Sequence, residues 1–275
     1  MVVVDRHITC LEYNPVFEAK ERQEEMIVDS GTLWIRLATG LLLAAISTRA
    51  GLPVGTVVPV MLRSSLNAKK DGAGKKVEGE VMQEVPLSSG GKISRRSRIT
   101  GQVVSVTRPG SSGSSIVLKF DAIQDNGQTI PLTAALLAVA SFTSVADAQS
   151  PIDATSNVEH ESAWVTRQVG GDVVNRGRGK VGTRLGVVGR WLEGSSVLAQ
   201  LTPNPDAGCP SGPGYDREQA VWVFSSSACG TYGLGDLKIA SSGSTPPLGN
   251  IVLTSSQNVE IRGGSGWLLI VATRQ

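Results

Sequence analysis

Histidine occurs only twice in the 275 residues, at His7 and His160, and this scarcity nearly excludes any mechanism that needs a His pair or a His-rich metal site. A Ser-His-Asp triad or a His-rich metal site needs an imidazole set beside a second reactive group. Phe, Trp and Tyr make up only 4% of the chain, and no aromatics interleave the basic clusters, so the stacking platform of a single-strand nucleic-acid binder is missing. The three cysteines include no Cys-x-x-Cys, which argues against structural zinc. Net charge is only +2, too weak a bias to point to nucleic acid. Uninterrupted apolar character runs only from Leu37 to Ile46, well short of the ~20 residues of a membrane-spanning helix.

What is present favours strands. The chain is 40% hydrophobic and 18% charged, with 32 glycines and abundant Val, Ser and Thr. This composition suits a folded, all-β protein of short antiparallel strands, a barrel or sandwich with a second, smaller β module. "TVVPVMLRSSL" (56–66) places Val58, Val60 and Leu62 on one face, and "KKVEGEVMQEV" (75–85) alternates Val77, Gly79, Val81, Gln83 and Val85; period 2 is the half-buried strand pattern. "RITGQVVSVTR", "SSIVLKFDAIQ" and "QTIPLTAALLAVASF" continue the series, and Asn126-Gly127 is its strongest hairpin signal. "TAALLAVASFTSVADA" (133–148) reads as a buried strand with an extended tail, although its alanines also suit a helix. The Pro/Gly-rich loop at 202–217 marks the expected boundary between a unit at 51–201 and a small β module at 202–275.

The first fifty residues read as a leader. Met26 to Ala50 has the length of a secretory signal, with Arg36 before the apolar stretch and Thr48-Arg49-Ala50 as a cleavage site; the acidic residues 1–25 then precede the true start, Met26. The competing readings are a buried helix and a retained single-pass anchor. Removing residues 1–50 leaves 21 basic and 17 acidic side chains, and leaves Cys209 and Cys229 as an even pair in loop-like sequence. A disulfide between them would contribute about 3 kcal/mol in the chain-entropy model; the other reading is two unpaired buried thiols. Periplasmic or secreted localisation follows, with no stable membrane span in the mature form.

Chemical motifs are weak. "GRGKVG" (177–182) matches Gly-x-Gly-x-x-Gly, but Gly186 and Gly189 oppose the helix that a dinucleotide site requires, so a basic loop is the ordinary reading. "GGSGW" (263–267) fails as a nucleophile elbow. Asp172 with Glu193, or Asp216 with Glu218, could supply the two acids of a glycoside hydrolase. Trp164, Trp191, Trp222 and Trp267 stand singly in strand-like contexts, where core packing is the default and a sugar platform would need two on one exposed face. Lys69, Lys70, Lys75 and Lys76 surround one turn and Arg95, Arg96 and Arg98 another, and would form an anion- or partner-binding rim if the two loops met, with Glu78, Glu80 and Glu84 near enough to offset it.

"GLPVGTVVPVMLRSSLNA", "KISRRSRITGQVVSV" and "DNGQTIPL" follow in an order and spacing that resemble TrbI-like proteins, the periplasmic barrel scaffold of conjugation and type IV secretion machines. Pro53, Gly55, Thr56, Gly101, Gly127, Ile130 and Leu132 fit that pattern, whereas Ser94 and Arg96 stand where the family has Pro and Gly. The likeness covers residues 51–135; the family's proline-rich linker and paired amphipathic helices have no counterpart. It implies a non-catalytic, exported scaffold of the cell envelope without cofactor or metal. The partners would be envelope proteins, cell-wall polymer or further copies of the chain. A secreted polysaccharide-binding module and a carboxylate-pair hydrolase are the alternative readings.

Overall fold

Val57–Leu62 (β1) shows why the chain folds as it does. Val58, Val60 and Leu62 enter one core while Val57 and Met61 pack against another. A strand apolar on both faces must be covered on both. The computed structural model describes residues 52–87, 90–152, 164–177, 179–192, 196–239 and 249–272. The expected export signal at 26–50 lies outside the described residues, as do Cys10, His160 and Glu193.

Along the chain, β1 is followed by Leu66–Asn67 (β2), Lys76–Val81 (β3), Val85–Pro86 (β4), Lys92–Ile93 (β5), Arg98–Gly110 (β6) and Gly113–Asp125 (β7). Gln128–Pro131 (β8) and Ala134–Ala140 (β9) lead to the helix Phe142–Gln149 (α1). Trp164–Arg167 (β10), Val173–Gly177 (β11), Lys180–Thr183 (β12), Gly186–Leu192 (β13), Ser196–Gln200 (β14) and Glu218–Ala220 (β15) come next. The chain continues through Gly230–Tyr232 (β16), Lys238–Ile239 (β17), Ile251–Ser255 (β18), Glu260–Ile261 (β19) and Gly266–Val271 (β20).

The protein is all-β, as its composition indicates. A ten-stranded sheet runs β16-β9-β20-β1-β3-β6-β7-β18-β17, with β8 beside β7, and every ladder in it is antiparallel except β16 with β9. It curls around a core to which Val60, Ile99, Leu118, Leu136, Leu253 and Trp267 contribute, with Phe120 edge-on to Trp267 at 5.9 Å. At its two ends Thr231 Oγ1 donates to the Leu237 carbonyl (2.9 Å), yet no ladder joins β16 to β17 among the described residues, so the sheet does not close into a barrel.

A second, six-stranded antiparallel sheet, β10 to β15, lies between 164 and 220. It and α1 cover the outer face of β9, β20 and β1, where Val57, Ala138 and Leu268 meet Val145, Val197, Trp222 and Phe224. This redraws the expected division at 202–217. Beyond that loop, β18 pairs with β7 and β20 lies between β1 and β9, and all described residues belong to one compact unit. The cause is again two-faced burial: "GWLLIV" is apolar at successive positions, with Trp267 and Leu269 in one core and Leu268 in the other.

Two buried glutamines tie the layers together. Gln83 Nε2 donates to the Val197 carbonyl (3.0 Å), while its Oε1 accepts from the backbone N–H of Val197 (3.0 Å) and of Trp222 (2.7 Å). Gln219 Oε1 accepts from Val57 N–H (3.1 Å) and its Nε2 donates to the carbonyls of Gly55 (3.1 Å) and Gly214 (2.8 Å). The Gln83 and Gln219 side-chain oxygens thus take buried N–H groups of Val197, Trp222 and Val57, while their amide nitrogens donate to carbonyls, that of Val197 being shared with the Val221 N–H. Gly55 and Gly214, at φ 78° and 87°, press backbone to backbone here, and a Cβ on Gly55 would lie 2.2 Å from Pro213.

The Asn126-Gly127 hairpin forms as its sequence predicts, with φ of 47° and 78° and Asp125 opposite Gln128. The segment at 133–148 differs from expectation. Its strand is β9, but the tail is α1, because Ser141 caps the helix by accepting from Ser144 N–H (3.1 Å) and an alanine-rich turn follows.

Candidate functional site

The seven basic residues expected to form one rim are held at opposite ends of a ladder. Lys76 faces Gln102 at one end of the β3–β6 pair and Arg98 faces Glu80 at the other. In an antiparallel pair, the loop entering one strand and the loop entering its partner lie at opposite ends. Lys69, Lys70, Lys75 and Lys76 therefore cluster around the entry to β3, and Arg95, Arg96 and Arg98 around the entry to β6. Arg108 joins the first group, donating to the Lys69 carbonyl.

Acidic neighbours offset much of this charge. Lys75 pairs with Asp71 at 2.8 Å, and Arg98 pairs with Glu78. Glu80 takes Arg63, and Glu84 takes Lys92 at 2.6 Å. Exposed pairs of this kind are worth about 0–1 kcal/mol each. Lys69, Lys70, Lys76, Arg95 and Arg96 are exposed without an ion pair among the described residues. The result is two modest cationic ends, neither of them a pocket.

Arg96 adopts φ 71°, the left-handed conformation that glycine would take without strain. Its turn is held by Asp125, whose Oδ1 accepts from Ser97 Oγ (2.6 Å) and Ser94 N–H (3.2 Å), while Asn126 Nδ2 donates to Ser94 Oγ (2.9 Å). Burial pushes the Asp125 carboxyl up, but the hydrogen bonds from Ser97 and Ser94 together outweigh it and hold the group below its usual 3.8. The carboxylate thus anchors the turn through Ser94 and Ser97.

Cys209 and Cys229 form a disulfide, with Cα atoms 6.1 Å apart. Tyr232 clamps the second cysteine's loop, its hydroxyl accepting from Cys229 N–H and donating to the Cys229 carbonyl, both at 2.9 Å. Beside this clamp a shallow recess of about 340 Å³ is lined by Ser144, Asp147, Arg167, Gln168 and Tyr232 among others. Reading α1 as an extended tail concealed it, since two of these side chains lie on that helix.

The other sequence motifs resolve into structural roles. "GRGKVG" is the tight link from β11 to β12, with Gly179 at φ 77°, and no helix follows it. Ser265 is buried and donates to the Arg262 carbonyl (2.7 Å). Trp222 and Trp267 are buried, Trp191 is half-buried, and the Trp164 side chain lies outside the described residues. Glu218 accepts from Arg190 at 2.7 and 2.9 Å, and Asp216 is solvent-exposed. Asp172 is also exposed. Arg176, sequestered in the second sheet, is drawn down to about 10 by burial and stays charged at neutral pH. No group of three or more metal-ligating side chains occurs among the described residues, and none of their helices is long and apolar enough to cross a membrane.

No family model, curated protein or solved structure matches the chain. The residues of the TrbI resemblance nevertheless have definable physical tasks. Pro53, Gly55 and Thr56 make the turn into β1, with Thr56 N–H donating to the Pro53 carbonyl (3.1 Å). Gly101 sits at a β6–β7 irregularity where a Cβ would lie 2.1 Å from the Lys119 carbonyl oxygen. Ile130 and Leu132 pack on the large-sheet core.

Proposed function

We propose that this chain is a non-catalytic, exported component of a cell envelope, a TrbI-like scaffold whose β-surfaces assemble with envelope proteins or cell-wall polymer. The observation that carries the reading is the Cys209–Cys229 bridge, because a structural disulfide forms and persists in oxidising compartments. A strand edge supports the mode of action. β17 ends the larger sheet, so an extended partner segment can add a strand there. The cationic ends at Lys69–Lys70–Lys76 and Arg95–Arg96 would favour acidic partners.

Two measurements on intact cells test this. Alkylation of free thiols before denaturation should leave Cys209 and Cys229 unmodified, and full modification would remove the argument for export. Crosslinking should capture secretion-machine or other envelope components; capture of none would defeat the scaffold reading.

A further inference from the structure

The recess beside the Tyr232 clamp has walls drawn from three distant parts of the chain. Ser144 and Asp147 are three residues apart and so lie on one face of α1. Arg167 ends β10 and Gln168 follows it, while Tyr232 ends β16. Two glycines in the left-handed conformation complete the lining, Gly170 at φ 71° and Gly233 at φ 66°. A Cβ on Gly170 would lie 2.4 Å from the Tyr232 hydroxyl, and one on Gly233 2.4 Å from the Ser144 hydroxyl. A side chain at either position would push the wall apart, so the two glycines hold Tyr232 and Ser144 at close range.

The walls carry both signs of charge. Asp147 and Arg167 are exposed and form no ion pair with each other or with any other described residue. Asp172, beside Val173 across the ladder from Arg167, is likewise unpaired. Unpaired charges on a surface are ordinary, but these two stand beside a buried amide. Gln168 is 6% exposed and donates its Nε2 to the Phe224 carbonyl (3.3 Å), while its Oε1 has no partner among the described residues. A buried acceptor left over at a cavity wall is a group for a bound molecule to satisfy.

We propose that this recess binds a small zwitterion, a free amino acid or a short peptide. Its carboxylate meets the Arg167 guanidinium, its ammonium meets the Asp147 carboxylate, and Gln168 Oε1 accepts a further N–H. A simple anion would be opposed by Asp147 and a simple cation by Arg167, whereas a molecule carrying both charges satisfies the two together. The volume, about 340 Å³, lies at the small end of ligand sites, about 300–1,000 Å³, and suits one or two residues. The Tyr232 clamp on Cys229, itself bridged to Cys209, holds one wall in place before anything binds. The inference does not rest on the scaffold reading, because it concerns the purified chain and a small solute.

The test is titration of the isotope-labelled full chain with alanine and with alanyl-alanine, followed through the backbone amide signals of Gly170 and Gly233. These should shift and saturate with at least one of the two. N-acetylation of that probe, which removes the ammonium, and amidation, which removes the carboxylate, should each weaken binding by about tenfold or more, one charged hydrogen bond being lost in each case. Two variants should undo these preferences one at a time. Asp147→Asn should bind the acetylated and free probes alike, and Arg167→Gln should bind the amidated and free probes alike. Both replaced side chains are exposed and unpaired, so the rest of the spectrum should match wild type. Failure of both probes to move these amides would overturn the proposal. Unchanged affinity in both variants would do the same, as would acetate bound as tightly as the zwitterion, which would make the recess a plain carboxylate site.

Discussion

At the scale of single residues, the fold rests on side chains that finish the backbone's hydrogen bonding. Gln83 is fully buried and serves three backbone groups on two strangers in sequence, 114 and 139 residues away. Gln83→Ala should lower stability by about 3 kcal/mol, because it strands the buried N–H groups of Val197 and Trp222 as well as opening a void; the midpoint of urea unfolding measures this. Alternation through Val77, Val81 and Val85 placed Gln83 inward from sequence alone. Its partners were not legible, because nothing local to Gln83 indicates Val197 or Trp222. Arg96 teaches the reverse lesson. Ser94 and Arg96 stand where the resembled pattern has Pro and Gly, and the structure puts a positive φ on Arg96, a residue that carries a Cβ. Arg96→Gly should raise stability by about 0.5–1 kcal/mol, the left-handed strain less the added chain entropy of glycine, read as a higher urea midpoint.

Among the elements, the β7–β8 hairpin and the turn before β6 act as a pair, joined by Asp125. Its carboxyl is depressed below 3.8 in the folded protein, so the unfolded chain binds the proton more readily. The stabilisation is therefore complete above the unfolded value and is lost as pH falls through the lower folded value. Asp125→Asn should flatten that part of the acid-unfolding curve below about pH 4 while leaving the slope near neutrality unchanged; urea midpoints measured across acid pH check this. The hairpin itself was readable because Asn-Gly encodes its own turn. Helix α1 was not, since eight residues of mixed propensity following a buried strand carry weak local signal, and the deciding feature is a single capping serine. The basic loops were equally visible as composition, but their separation depends on how β3 runs against β6, which is a fact of pairing.

For the whole molecule, the class was legible and the partition was not. Composition and period-2 alternation are properties of each segment, whereas the assignment of β18 and β20 to the large sheet depends on which distant edge they meet. A chain ending at Leu201 would lack β18 and β20, exposing both neighbours of β20 and the β7 edge. It should show no cooperative unfolding transition and no near-ultraviolet circular dichroism, whereas the full chain should unfold in one step; a folded fragment would restore the boundary at 202–217. The pairing of Val57 with Ile270 also sets a timetable. The first strand of the body to be synthesised can find its central neighbour only when the last has been made, and loop closure over such a span is slow. Until then β1 lacks its β20 neighbour, and the large sheet is open along that line.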